Sequence, residues 1–174
     1  MAKIHLLPAE IISKIAAGEV VERPASVVKE LIENSLDAGA TSIELTLENA
    51  GRTLIRLKDN GSGIEPDDIE HVFLRHSTSK INSIDDLYRI NTLGFRGEAL
   101  YSIAAIADIT VRSKAVGEAN GWEIHVRGNK KISLKPINLQ EGTDIEIQEL
   151  FFNTPARRKF LKSDTTELKQ ILHV

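Results

Sequence analysis

Asp59-Asn60-Gly61-Ser62-Gly63-Ile64 puts a carboxylate at the end of an alternating stretch, Leu54 to Asp59, in which Ile55 and Leu57 mark one face. Asp59 shares that face, and a carboxylate turned toward apolar neighbours needs a partner, because burying it unpaired is costly. Such a group can accept the amino group of adenine, with the two glycines letting a planar ring approach the backbone. The plainer alternative is a tight reversal, for which Asp, Asn and Gly are the usual residues. Upstream, Glu30, Asn34 and Asp37 lie at about 0°, 40° and −20° around a helix, a single stripe. Taken alone, that stripe also suits an amphipathic helix with a solvated acidic face. Downstream, Leu93-Gly94-Phe95-Arg96-Gly97-Glu98 places two glycines directly before a helix start, whose free N–H groups and positive dipole end suit phosphate. Ser77-Thr78-Ser79-Lys80 adds a polar stretch with a cation, equally compatible with a solvated loop.

The elements that must position these residues follow from hydrophobic period. Residues 8 to 17 form a short helix opened by Pro8, and 25 to 38 a longer one closed by Gly39. Ile43, Leu45 and Leu47 alternate with polar residues, Asn49-Ala50-Gly51 turns the chain, and Ile55 and Leu57 continue the alternation, which predicts a β-hairpin. Pro66 opens a helix with Ile69, Val72 and Phe73 on one face; further helices are expected over 83 to 90 and 97 to 107. Strands follow at Ile109/Val111, Trp122/Ile124/Val126, Ile132/Leu134 and Ile145/Ile147. Asp164 with Glu167 reads as the capping box of a last helix, suggesting a chain that led onward into a second domain. Early helices and late, directly linked strands predict an α+β two-layer sandwich, a mostly antiparallel sheet with helices on one face; a doubly wound parallel sheet is the lesser alternative.

Composition narrows the function. With 41% hydrophobic residues the 174-residue chain is expected to fold as one domain, without internal repeats or linkers. No apolar run reaches the roughly 18 residues of a membrane span, and the start lacks a leader pattern, so no membrane partner is expected. The absence of Cys excludes a disulfide scaffold, a thiolate zinc site and a cysteine nucleophile, and the five histidines show no metal-binding spacing. The net charge of −3 conceals −6 over residues 1 to 87 and +3 over 88 to 174, so any DNA contact must be local. Arg157, Arg158, Lys159 and Lys162 are its candidates. Neither a P-loop nor a GxGxxG motif is present.

In order and spacing, Glu30-xxx-Asn34-xx-Asp37-Ala38, Asp59-x-Gly61-x-Gly63, Gly94-Phe95-Arg96-Gly97 and Gly142-Thr143 resemble the four motifs of the GHKL ATPases. Within that superfamily GFRGEAL at 94 to 100, AAGEVVERPASVVKEL at 16 to 31 and LFFNTPARRKFL at 150 to 161 resemble the MutL mismatch-repair family. The resemblance covers nearly the whole chain. It implies the Bergerat α/β sandwich, with ATP and Mg²⁺ as ligands. Glu30 would be the general base and Asn34 the Mg²⁺ ligand beside the phosphates. Asp37, Ala38, Asp59, Gly61, Gly63 and Thr143 would line the nucleotide. Thr78, Ser79, Lys80, Leu93, Gly94, Phe95, Arg96, Gly97 and Glu98 would close on it from a lid spanning about 78 to 97.

The same resemblance implies slow ATP hydrolysis as a switch between mismatch recognition and strand removal, and a lysine of a following domain completing the γ-phosphate site. It further implies nucleotide-dependent dimerisation through an arm at about 1 to 20, and a MutS-type mismatch sensor as partner. The expected location is the cytoplasm, at the nucleoid, for a bacterial protein and the nucleus for a eukaryotic one. Competing readings are a nucleotide-gated interaction module with little turnover, a DNA-binding module centred on Arg157 to Lys162, and another GHKL member such as a topoisomerase subunit.

Overall fold

The computed structural model of the protein describes residues 8–75 and 98–174. Its chain order is α1 (Ala9–Val20), α2 (Pro24–Asp37), β1 (Ile43–Glu48), β2 (Leu54–Asp59), α3 (Ala99–Ala104), β3 (Asp108–Lys114), β4 (Gly121–Arg127), β5 (Lys130–Ile137), β6 (Gly142–Gln148), α4 (Pro155–Phe160) and α5 (Asp164–Leu172). The helix expected over 83 to 90 lies outside the described residues.

Helix α2 forms where the sequence places it. Pro24 occupies its first turn, where a missing N–H costs nothing. Gly39, at φ +73°, ends it: Gly39 N–H donates to Leu36 O and Ala40 N–H to Ser35 O, the paired bonds of a Schellman cap. Pro24, Ala25, Val27, Val28, Leu31 and Ser35 are buried, leaving Glu30, Asn34 and Asp37 half-buried on another side.

The six strands form one sheet in the order β1-β2-β6-β3-β4-β5, every neighbouring pair antiparallel. The two-layer antiparallel expectation holds, and the parallel alternative does not. The hairpins β1-β2, β3-β4 and β4-β5 were legible in the alternation. The insertion of β6 between β2 and β3 was not, because it joins segments far apart in sequence.

Register organises the inner face into three rows. Leu47, Ile55, Ile147, Ile109 and Val126 form one; Leu45, Leu57, Ile145, Val111, Ile124 and Leu134 form the second. Burying each such aliphatic side chain stabilises by about 1.5 to 3 kcal/mol. The third row breaks the pattern: Ile43, Asp59, Thr143, Ser113, Trp122 and Pro136 are partners in turn, so three polar side chains sit side by side at one end of an otherwise apolar face.

Three local expectations need correction. The stretch after Pro66 forms two 3-10 turns, Pro66–Asp68 and His71–Phe73, not one α-helix; its bonds, such as Asp68 N–H to Glu65 O, all run i to i−3. Ile69 and Phe73 are buried as expected, so the tighter turns satisfy the same apolar spacing. Helix α3 is shorter than 97 to 107, because buried Ala105, Ile106 and Ala107 lead straight into β3. Ser163, not Asp164, caps α5, and the buried Glu167 carboxylate accepts from Lys162 N–H at 2.8 Å.

Candidate functional site

Asp59 stands at the last position of β2, only 8% exposed, as the alternation with Ile55 and Leu57 requires. Its charge is met by two donors. Ser35 Oγ on α2 gives a bond of 2.6 Å to Oδ2, and Gly61 N–H one of 2.9 Å to Oδ1. Each carboxylate oxygen therefore keeps a lone pair for a further donor. The helix that carries Glu30 and Asn34 is thus fastened to the carboxylate by its next turn.

The glycines do what close approach demands. A Cβ on Gly61 would lie 2.9 Å from both Cβ and O of Ala38, and Ser62 N–H donates to Ala38 O at 2.9 Å. This seats the loop on the end of α2, beside Asp37. Gly63, at φ +73°, passes so near β3 that a Cβ would stand 2.1 Å from Lys114 O; Val116 N–H to Ser62 O, 3.1 Å, holds the crossing. Asn60 faces elsewhere: its Oδ1 accepts from Thr41 and Ser42 N–H at 2.9 and 2.8 Å, pinning the entry to β1.

Thr143 is the register partner of Asp59 and is 9% exposed. Beside it Ser113, wholly buried, touches three groups at 2.9 Å: Ile64 N–H, Gly142 O and Thr143 Oγ1. Ser113 and Ser35 escaped the sequence reading. Ser113 occupies an inward position of the Ile109/Val111 alternation, and a hydroxyl there was the available signal.

The other expected residues divide. Glu98 caps α3 with its backbone, accepting from Ser102 N–H at 2.8 Å, and its carboxylate lies 3.8 Å from Arg75 Nε. Thr78, Ser79, Lys80, Leu93, Gly94, Phe95, Arg96 and Gly97 lie outside the described residues. Among the described residues no three His, Cys, Asp or Glu side chains converge as a ready cation cage.

The basic cluster is not uniform. Arg157 crosses α1 over Gly18, where a Cβ would meet its guanidinium at 2.3 Å, and donates to Val21 O at 3.0 Å. Arg158, Lys159 and Lys162 are exposed.

The opposite face of the sheet neutralises itself. Arg56 makes a bidentate pair with buried Asp144, at 2.9 and 2.7 Å, and the hydrogen bond and charge of Asp144 raise the arginine above its ordinary value. Arg112 joins Glu123 at 2.6 Å and Glu146 at 3.2 Å, while Lys135 reaches Glu123 at 3.0 Å. No described helix is long and apolar enough to cross a membrane.

Residues 22–152 match the family model described as histidine kinase-, DNA gyrase B- and HSP90-like ATPase. The DNA mismatch repair protein MutL of Leuconostoc citreum is 55% identical over all 174 residues, which cover 26% of that relative. That of Shewanella denitrificans is 53% identical over 169 residues, 97% of this chain and 25% of the relative. The chain thus spans about a quarter of the length of the curated relatives it matches. Among solved structures, the Aquifex aeolicus MutL ATPase domain complexed with ADP superposes with a TM-score of 0.72 at 39% identity, covering 88% of this chain and 53% of that one. The N-terminal domain of a DNA repair protein gives a TM-score of 0.76 at 30% identity, covering 92% and 46%.

Proposed function

Because the chain belongs to the histidine kinase-, DNA gyrase B- and HSP90-like ATPase family, we propose that its polar row and the loop at Gly61–Gly63 hold the adenine of ATP, which is hydrolysed beside α2. The observation that carries this reading is the buried Asp59, held by Ser35 and Gly61, at the polar end of an apolar sheet. A carboxylate whose two oxygens each accept one hydrogen bond still has acceptor capacity matched to an exocyclic amino group.

On this reading Glu30 takes the proton of the water that attacks the γ-phosphorus in line, the bond to the leaving β-γ bridging oxygen breaking as the new P–O bond forms. Catalysis rests mainly on positioning, which the fastening of α2 to β2 supplies. Asn34, one turn beyond Glu30, offers a neutral oxygen to Mg²⁺. Mg²⁺ usually takes most of its oxygens from substrate phosphates and water, with one or two ligands from the protein. That cation supplies charge neutralisation of the phosphates. Asp37 and Ala38 line the base side, and Thr143 supports Asp59. Assignment of Thr78, Ser79, Lys80, Glu98 and the 93–97 segment to the phosphates rests on their motifs.

The biological setting is DNA mismatch repair, with nucleotide state as the switch between mismatch recognition and strand removal. The similarity of nearly this whole chain to about a quarter of the length of MutL proteins supports this. Its partners are a MutS-type sensor, DNA touched locally through Arg158, Lys159 and Lys162, and a second copy engaged through the N-terminal arm. Ile11, Ile12 and Ile15 of α1 are exposed and suit that last contact. The proposed cellular site is the bacterial cytoplasm, at the nucleoid.

Calorimetric titration with a non-hydrolysable ATP analogue and Mg²⁺ tests the binding site, with Asp59→Asn expected to lose the binding that the wild type shows. Phosphate release by a longer form that carries the rest of the relatives' length tests the chemistry. Glu30→Ala there should abolish turnover and leave binding intact. Turnover that survives Glu30→Ala overturns the assignment of the base.

A further inference from the structure

Ser113 lies on β3, away from the motifs, yet it is wholly buried at the β3 end of the polar row, beside Thr143. Its hydroxyl has one proton and two lone pairs, and its three polar neighbours, all at 2.9 Å, use them in only one way. Ile64 N–H can only donate, so it takes one lone pair. Gly142 O can only accept, so it takes the proton. The remaining contact, to Thr143 Oγ1, is then a hydrogen bond only if Thr143 donates to Ser113. The reverse direction would set two oxygens 2.9 Å apart at Gly142 with no proton between them, in a place closed to water.

We infer that Ser113 is a positioning residue for base selection: by taking the Thr143 proton it makes Thr143, like Asp59, face the nucleotide as an acceptor. The inference rests on the proposed adenine site and deepens it. A pocket whose two polar side chains both accept favours a base edge that donates, such as the 6-amino group of adenine, met directly or through water. It disfavours the 6-oxo group of hypoxanthine. Without Ser113 the Thr143 proton is free to turn toward the base, and the rejection weakens. Ser113 also holds Ile64 to the sheet, a structural duty that by itself would weaken every purine nucleotide equally.

The test is calorimetric titration of the chain with the β,γ-imido triphosphates of adenosine and of inosine, for the wild type, Ser113→Ala, Thr143→Val and the double variant. The wild type should prefer the adenosine compound. Ser113→Ala and Thr143→Val should each reduce that preference by about fivefold, and the double variant no further, since one residue acts through the other. Ser113→Cys, a weak hydrogen-bonding partner of similar shape, replaces Ser113→Ala if the latter shows no cooperative melting, with the same expected loss. An unchanged preference, an equal loss of affinity for both compounds, or additive effects would overturn the role of Ser113 while leaving the adenine site standing. A wild type that binds neither compound overturns the adenine site and this inference with it.

Discussion

Ser35 Oγ on α2 donates a 2.6 Å hydrogen bond to Asp59 Oδ2 on β2, both side chains buried. The bond spans 24 residues and joins the two motifs that the family resemblance treats as separate, so that the helix bearing Glu30 and Asn34 is tied directly to the strand bearing Asp59. Ser35→Ala leaves a buried carboxylate oxygen short of a donor, at a cost of about 1 to 3 kcal/mol. The expected outcome is a lower melting temperature and about tenfold weaker binding of an ATP analogue by calorimetry. Wild-type affinity in a folded Ser35→Ala protein would show that Asp59 orients itself without the helix.

Gly63 and Gly117 separate close approach from backbone conformation. Both have positive φ, +73° and +85°, but a Cβ on Gly63 would stand 2.1 Å from Lys114 O, whereas Gly117 has nothing within 4 Å. Gly117→Ala should cost only the left-handed penalty, about 1 to 2 kcal/mol. Gly63→Ala adds a collision with backbone that has nowhere to go and should cost more than about 4 kcal/mol. Urea denaturation of the two variants decides it; equal midpoints would mean that the Gly61–Gly63 loop can lift off β3 freely.

Arg157 belongs to the fold more than to the surface. Its guanidinium lies across Gly18 and caps α1 at Val21 O, so Arg157→Ala should destabilise by about 1 kcal/mol and leave the salt dependence of DNA binding unchanged. Lys159→Ala, at an exposed position, should spare stability and lower the slope of log affinity against log salt by about 0.9, one phosphate contact. Fluorescence anisotropy with a DNA duplex across a salt series reads both, and a changed slope for Arg157→Ala would return that residue to the DNA surface.

Period alone made α2, the β1-β2 hairpin and the inward turn of Asp59 legible, since each depends on neighbours within a few residues. Asn34 and Asp37 fall where about 100° per residue puts them. What escaped depends on distant pairing. The place of β6 between β2 and β3 sets Thr143 against Asp59 and Ser113 against Thr143, and no window of sequence contains those contacts. Ser113 is an ordinary strand residue until that register brings it to the polar row, and Ser35 an ordinary helix residue until α2 packs against Asp59. The 3-10 turns after Pro66 escaped for a different reason, because Ile69, Val72 and Phe73 suit either helix type and only the hydrogen bonds distinguish them.

Glu123, on the solvent side of the sheet, supplies a pH signature independent of the nucleotide site. Burial alone would push its carboxyl up, but hydrogen bonds from Lys135 and Arg112, with their charges, hold it below the ordinary carboxylate range. A carboxyl depressed in the folded state binds its proton more readily when unfolded. It therefore contributes stability that is fully present at neutral pH, begins to fade below about pH 4.5, and is gone once the pH has fallen through the depressed folded value. Glu123→Gln removes that charge-dependent contribution while its amide oxygen can still accept from Arg112, which also keeps Glu146. The variant should be less stable than wild type at pH 7, and the two denaturation midpoints should converge as the pH is lowered below about 4.5. A gap between them that stays constant down to about pH 3 would show that the Glu123 network holds the strands by geometry rather than by charge.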